Sequence, residues 1–165
     1  MQRLVRKQVI MSKHFSCFNR SGNACLATIA HLSFSTMSEA LCPYCPVTDP
    51  DQKIIFQENL VLFMQNEKAQ GALKHSGVII PIQHRETVFD LSEQEIVATF
   101  RLLSIVRHWM DENFSPDGYN VGWNCGKVGG QEVLHAHMHV IPRFRQEPLA
   151  GAGIRTLLKS DANKW

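Results

Sequence analysis

The sequence predicts an α+β domain, an antiparallel sheet of about five strands covered by one long helix, with a short helix besides. Three observations carry that prediction. Short apolar, β-prone runs recur on both sides of a single stretch that has helical period. That stretch opens on a capping signal, Ser92-Glu93-Gln94-Glu95, and is broken by Ser115-Pro116-Asp117-Gly118. The last run, His135-Ala136-His137-Met138-His139-Val140, alternates histidine with apolar residues at the two-residue period of a strand.

Length and charge limit what such a domain can do. A chain of 165 residues that is 44% hydrophobic is long enough for one domain with its own core. Of its 17 Lys and Arg, five lie in residues 1–38, which hold no acid, so the remainder sets 12 basic against 15 acidic side chains, a net of −3. A basic nucleic-acid footprint is therefore absent from the domain, and a single small molecule fits better. No run reaches the ~18–20 apolar residues of a membrane span.

Taken in order, residues 1–38 are rich in Ser, Arg and small apolar residues, the composition of an organellar transit peptide. Translation from Met37 is the other reading; both predict a poorly ordered arm ahead of a domain over 39–165. The location is cytoplasmic, or organellar if the arm is genuine. Cys42-Pro43-Tyr44-Cys45 opens the domain. Without a secretory signal the five cysteines imply a reducing compartment, so this pair reads as a metal grip, with buried or free thiols as the alternative. Two thiolates two residues apart can hold one Zn²⁺, which still needs two further ligands.

Lys53-Ile54-Ile55-Phe56-Gln57 and Leu60-Val61-Leu62-Phe63-Met64 flank the turn-like Glu58-Asn59 and read as a hairpin. A polar loop over 67–74 leads to a strand at Gly77-Val78-Ile79-Ile80-Pro81-Ile82. After His84 to Asp90 comes the helix, whose apolar stripe is Ile96, Phe100, Leu103, Val106 and Met110, with His108 as a surface residue. Tyr119-Asn120-Val121-Gly122-Trp123-Asn124 is the next strand, and Trp123 and Cys125 read as packing residues. Beyond Pro142, a tail from Arg143 carries a Gly151-Ala152-Gly153 hinge and a short amphipathic piece over 154–159.

The histidine run is where chemistry concentrates. On an ideal strand His135, His137 and His139 share one face, with neighbours about 6.6 Å apart, where two positive charges repel by roughly 2.5 kcal/mol at an effective dielectric near 20. Such a row favours neutral imidazoles, able to attack an electrophile, bind a metal or pass protons. The preceding Asn124-Cys125-Gly126-Lys127-Val128-Gly129-Gly130 supplies a turn whose backbone amides can surround an anion.

With those residues on the page, the stretch from about Cys42 to Arg143 resembles the histidine-triad (HIT) family of nucleotide hydrolases and transferases, through His-x-His-x-His, Asn124, Gly129-Gly130-Gln131 and the Ile141-Pro142-Arg143 exit. The resemblance implies a HIT-like fold, a homodimer and a two-step displacement at the α-phosphorus of a small nucleotide, with no metal at the chemical step. His137 would be the nucleophile, and His139 would bond the phosphoryl oxygens. Asn124, Gly130, Gln131 and Glu132 would face the phosphate, and Gln65 or Asn66 the ribose. A subset of the family that looks like this chain implies a structural zinc on Cys42, Cys45, His84 and His135. Two departures stand out. Glu132 replaces the hydroxyl residue many relatives carry, and can serve an amine leaving group as proton donor or point to solvent. Ser76-Gly77 replaces a histidine before the strand, with His75 one residue away.

Other readings stay open at this point. The same fold can cleave dinucleoside polyphosphates. All three histidines could hold one catalytic Zn²⁺ that activates water. The chain could also be a nucleotide-binding module whose turnover Glu132 weakens.

Overall fold

Lys53–Gln57 (β1) and Val61–Gln65 (β2) form the expected hairpin, antiparallel, with an irregularity between Ile54 and Phe56. The computed structural model describes residues 42–156, so the expectations for residues 1–38 and for the end of the amphipathic piece after residue 156 fall outside the described residues. Gly77–Pro81 (β3) pairs antiparallel with β2, bringing Phe63 opposite Ile79. Glycine is required at the start of that strand, because a Cβ on Gly77 would lie 2.5 Å from the Met64 carbonyl oxygen and 2.6 Å from the Phe63 ring. Without a side chain there, β2 and β3 can close.

Glu93–Phe114 is the long helix, α1, and Ser92 caps it as its sequence foretells: the serine hydroxyl accepts from the Glu95 amide while the Glu95 carboxylate accepts from the Ser92 amide. It ends at Ser115, which takes a left-handed conformation ahead of Pro116. Gly118–Trp123 (β4) and Met138–Arg143 (β5) follow, antiparallel to each other, and the sheet order is β1-β2-β3-β5-β4. The short helical pieces among the described residues are three-residue 3-10 turns, such as Glu67–Ala69 and Val88–Asp90.

The sheet has two unlike faces. Val61, Phe63, Ile79, Met138 and Val140 point to one side and pack with Leu102, Val106 and Met110 of α1, all at most 1% exposed. Burying side chains of this size is worth roughly 1.5–3 kcal/mol each, so this face anchors the fold. Leu62, Met64 and Ile80 point the other way and pack with Tyr44, Val47 and Val78. His139, paired with Val78, shares that second face.

The helix sits on the sheet by the second half of the expected stripe, with Val106 and Met110 buried and Leu103 packed against the core, but not by its first half. Glu95, Thr99, Leu102, Val106 and Met110 are its buried residues, whereas Ile96 and Phe100 are 38% and 51% exposed. Where a helix offers apolar residues on neighbouring faces, the surface it lands on selects which of them are buried. No helix among the described residues is long and apolar enough to cross a membrane.

Candidate active site and metal centre

β5 begins at Met138, so His135 and His137 lie in an irregular segment that leads into the strand. The amide of Ala136, between them, donates to the Arg85 carbonyl oxygen at 2.6 Å. That bond, made to a loop, takes the segment out of the sheet ladder, and the expected row of three imidazoles on one strand face separates into two groups with different surroundings.

His135 is fully buried, and its Nε2 donates to the Pro81 carbonyl oxygen at 2.9 Å. Its Nδ1 lone pair is thereby turned toward the sulfurs of Cys42 and Cys45, at 3.4 and 3.1 Å. Burial holds this imidazole below the usual histidine range, with smaller contributions from His84 and His137, so it stays neutral. Cys45 Sγ also lies 3.3 Å from His84 Nδ1, and the ligand atoms of Cys42, Cys45, His84 and His135 all fall within 4.8 Å of one another. In a tetrahedral zinc site with Zn–S near 2.3 Å and Zn–N near 2.0–2.1 Å, sulfur and nitrogen stand about 3.5 Å apart, so the donor set and its spacing fit such an ion. Cys42 and Cys45 form no disulfide. Among the described residues this is the group able to hold a metal, and His137 and His139 do not belong to it. The reading in which all three histidines share one catalytic zinc is corrected on that ground.

Within the Cys42–Cys45 turn, closed by the Cys45 amide on the Cys42 carbonyl at 3.1 Å, Tyr44 stands edge-on to His135 and His137, with ring centroids 5.7 and 6.1 Å away. Burial, followed by the charges of Cys42 and Asp49, raises its phenol above the ordinary value. The Tyr44 ring is thus a neutral wall beside the second histidine.

His137 is 7% exposed, and its Nδ1 donates to the His135 carbonyl oxygen at 2.7 Å. A neutral ring with Nδ1 protonated keeps its lone pair on Nε2, the form an attacking imidazole needs. His139 packs edge-on against it at 4.9 Å, and its buried Nε2 has no partner. An unsatisfied buried nitrogen costs free energy unless a ligand reaches it.

Burial, reinforced by His137, holds His139 below the usual histidine value. A depressed folded-state pKa means that the unfolded chain takes up this proton first as pH falls. Stability from this group is present above the unfolded value near 6.5 and declines below it. Urea unfolding at pH 7.5 and pH 5.5 is expected to give a lower midpoint at the acid pH. His139→Gln should shrink the difference, and an equal difference in that variant would count against this cause.

A cavity of about 450 Å³ collects these groups, a volume suited to a nucleotide-sized ligand. His137, His139, Asn124, Gly130 and Glu132 line it on the β5 side, and Tyr44, Met64, Asn66, Gln70 and Leu73 on the other. A concavity of about 650 Å³ between the hairpin turn and the start of α1 holds neither histidine nor cysteine. The concentration of imidazoles, not size, selects the first.

Two expected ligand contacts have other occupations. Gln131 is 3% exposed and absent from the cavity lining: its Nε2 donates to the Glu86 and Val133 carbonyls at 2.6 and 3.0 Å, and its Oε1 accepts from the Gly126 amide at 2.7 Å. Gln65, 9% exposed, donates to the His75 carbonyl at 2.6 Å. Asn66 does line the cavity, although its Oδ1 caps the turn at Lys68 and Ala69. His75 does not replace the missing histidine before β3, because it stacks on Phe114 at 3.9 Å.

The sequence reading passed over Tyr44, Arg85 and Glu86. Tyr44 could have been found as the residue enclosed by two metal-spaced cysteines. Nothing in the spacing marks Arg85, whose guanidinium pairs with the Glu95 carboxylate at 3.0 Å, or Glu86, which acts through its backbone carbonyl. Burial pushes the Glu95 carboxyl up, but the bonds from Ser92 and Arg85 outweigh it and hold the group below its usual value.

The profile described as HIT domain matches residues 48–146. The purine nucleoside phosphoramidase of Escherichia coli is 34% identical over 89 residues, covering 53% of this chain and 73% of that protein. The adenosine 5'-monophosphoramidase of Schizosaccharomyces pombe is 25% identical over 112 residues, 68% of this chain and 81% of that protein. Among solved structures, a HIT family member from Bacillus subtilis superposes with a TM-score of 0.58 at 27% identity, over 64% of this chain and 75% of that chain. The match to the domain profile, the five-stranded sheet under one helix and the relatives agree, and the chain belongs to the HIT family.

Proposed function

We propose that this chain is a nucleotide hydrolase or nucleotidyl transferase that cleaves at the α-phosphate of a nucleoside phosphoramidate or a related small nucleotide. The observation that carries the reading is the fixed tautomer of His137, tied through Nδ1 to a backbone carbonyl while its ring lines the cavity beside the unpartnered Nε2 of His139. The similarity to the E. coli and S. pombe phosphoramidases supports the substrate class.

In the first step His137 Nε2 attacks the α-phosphorus and the bond from phosphorus to the leaving nitrogen breaks. The electron pair goes to that nitrogen, which gains a proton and departs as an amine. In the second step water attacks the same phosphorus and gives up a proton, which returns to the acid that protonated the amine, the phosphorus–Nε2 bond breaks with its electron pair going back to Nε2, and a nucleoside monophosphate leaves with the imidazole restored. His139, Asn124 and the loop amides around Gly130 stabilise the phosphoryl oxygens as charge develops on them. In this reading Glu132, which lines the same cavity, relays the proton to the departing amine.

Cys42, Cys45, His84 and His135 hold a structural Zn²⁺ in this reading. When bound, the ion cross-links the N-terminal turn to the segment before β5 and takes His135 out of phosphate chemistry. The chemical step needs no metal. A homodimer belongs to the same reading, supported by the outward apolar side chains Ile96, Val97 and Phe100 of α1, which are 38%, 49% and 51% exposed. Sedimentation velocity at micromolar concentration is expected to give a dimer; a monomer across the range would remove that part.

Rapid mixing with adenosine 5'-phosphoramidate followed by intact-protein mass spectrometry tests the whole. A nucleotidyl adduct is expected to appear and then decay as AMP is released. Turnover with no adduct at any time would contradict the two-step path.

A further inference from the structure

Gln131 spends both donors of its carboxamide on the backbone, at the Glu86 and Val133 carbonyls, and its oxygen takes the Gly126 amide, so no donor is left for a phosphate; the side chain is 3% exposed and lies off the cavity lining. The loop it closes, from Asn124 to Gly130, is short of other restraints. It is bridged by the Gly129, Gly130 and Gln131 amides onto Gly126 and Lys127 carbonyls, and Gly126 and Gly130 sit at φ 71° and 88°. Three glycines in these seven residues give little stiffness of their own.

The other end of the Gln131 bond is a strap with two further attachments. Residues 84–86 begin at His84, beside Cys45. The Arg85 carbonyl takes the Ala136 amide, between His135 and His137. The Arg85 guanidinium is fixed to Glu95, whose carboxylate also caps α1 and whose side chain is 4% exposed. The strap is thus seated on the rigid end of a long helix, and it holds the nucleophile segment by one carbonyl and the phosphate loop by the next.

Resting on the reading of the site given above, we infer that Gln131 is a positioning residue: it sets the phosphate loop at a fixed distance from His137 by tying both to residues 84–86, and does not itself contact the nucleotide. Misplacement of a binding loop by about 1 Å can cost about a hundredfold in rate, so the effect belongs in the chemical step.

Two variants separate this from a direct contact. Gln131→Met keeps the length and removes all three bonds; Gln131→Glu keeps an oxygen for the Gly126 amide and loses both donors. Adduct formation from adenosine 5'-phosphoramidate at saturating concentration is expected to slow roughly 30- to 300-fold in Gln131→Met, with AMP affinity changed less than about threefold because no ligand bond is lost. In hydrogen exchange the Gly126 amide is expected to be protected in the wild type, to lose protection in the Met variant and to keep more of it in the Glu variant. Affinity falling in step with rate would make Gln131 a ligand contact and overturn the assignment, as would an adduct rate within twofold of wild type. The wild-type measurement decides even if neither variant folds, since a freely exchanging Gly126 amide excludes the clamp. Absence of any adduct in the wild type would remove the reading of the site, and this assignment with it; a wild-type adduct with an unaffected Met variant removes the clamp alone.

Discussion

In His137→Ala, turnover of adenosine 5'-phosphoramidate is expected to fall by about 10⁴-fold or more, and the covalent nucleotide to vanish from the mass spectrum. The size follows from what is removed. Without the imidazole, water must displace the amine directly, and the benefit of splitting one displacement into two is lost. Binding should survive, because Asn124, Gly130 and the opposite wall of the cavity are untouched; AMP affinity within about tenfold of wild type is the matching expectation. His137 packs against Tyr44 and His139, so a small loss of stability accompanies the change. An adduct that persists in this variant would transfer the nucleophile's role to another residue.

Removing the metal is expected to act on the fold more than on the reacting atoms. Four donors from three separate stretches converge within 4.8 Å, and three of the four side chains are only half-buried, so the cluster has little packing of its own to fall back on. Zinc held by two thiolates and two imidazoles contributes binding free energy of order 10 kcal/mol in small domains, part of which becomes folding stability. Cys45→Ser, or treatment with a strong chelator, should therefore release one equivalent of zinc by elemental analysis and lower the melting temperature by roughly 10 °C. His135→Ala should do the same, in contrast with His137→Ala. A protein purified without bound metal that melts at the same temperature as one reconstituted with zinc would overturn the structural role.

Much of the scaffold could be read from local signals. The hairpin at Glu58-Asn59, the Ser92–Glu95 cap and the stop at Ser115-Pro116 are each decided by residues a few positions apart, and all three hold. What failed depends on distant partners. Ile96 and Phe100 continue the period of Val106 and Met110, which are buried as expected, yet at that end of the helix the sheet accepted Glu95, Thr99 and Leu102, a choice made by the surface the helix lands on. The histidine run has the period of a strand, yet the Arg85 carbonyl bends its first half away by a bond that joins residues 51 apart in the chain. The metal group fared better because its four residues converge as the family resemblance implied, although sequence spacing alone supplied only the cysteine pair. The family resemblance puts Gln131 at the phosphate; its side chain turns inward to the backbone, which no pattern of residue types records.

Glu132 stands on the wall of the same cavity as His137 and His139, where most of the surrounding polar groups are amides and imidazoles. Glu132 is exposed there, so water and salt screen its charge, and a further negative group brought within about 6 Å meets a repulsion of about 0.7 kcal/mol at the dielectric of water. On the function proposed above, the acid would act as a weak charge filter on what departs: a polyphosphate tail would be disfavoured as it approaches, whereas an amine, gaining a proton as it leaves, would be drawn toward it. Selectivity of this kind comes from penalising the wrong partner, and it would survive changes to the base and sugar contacts.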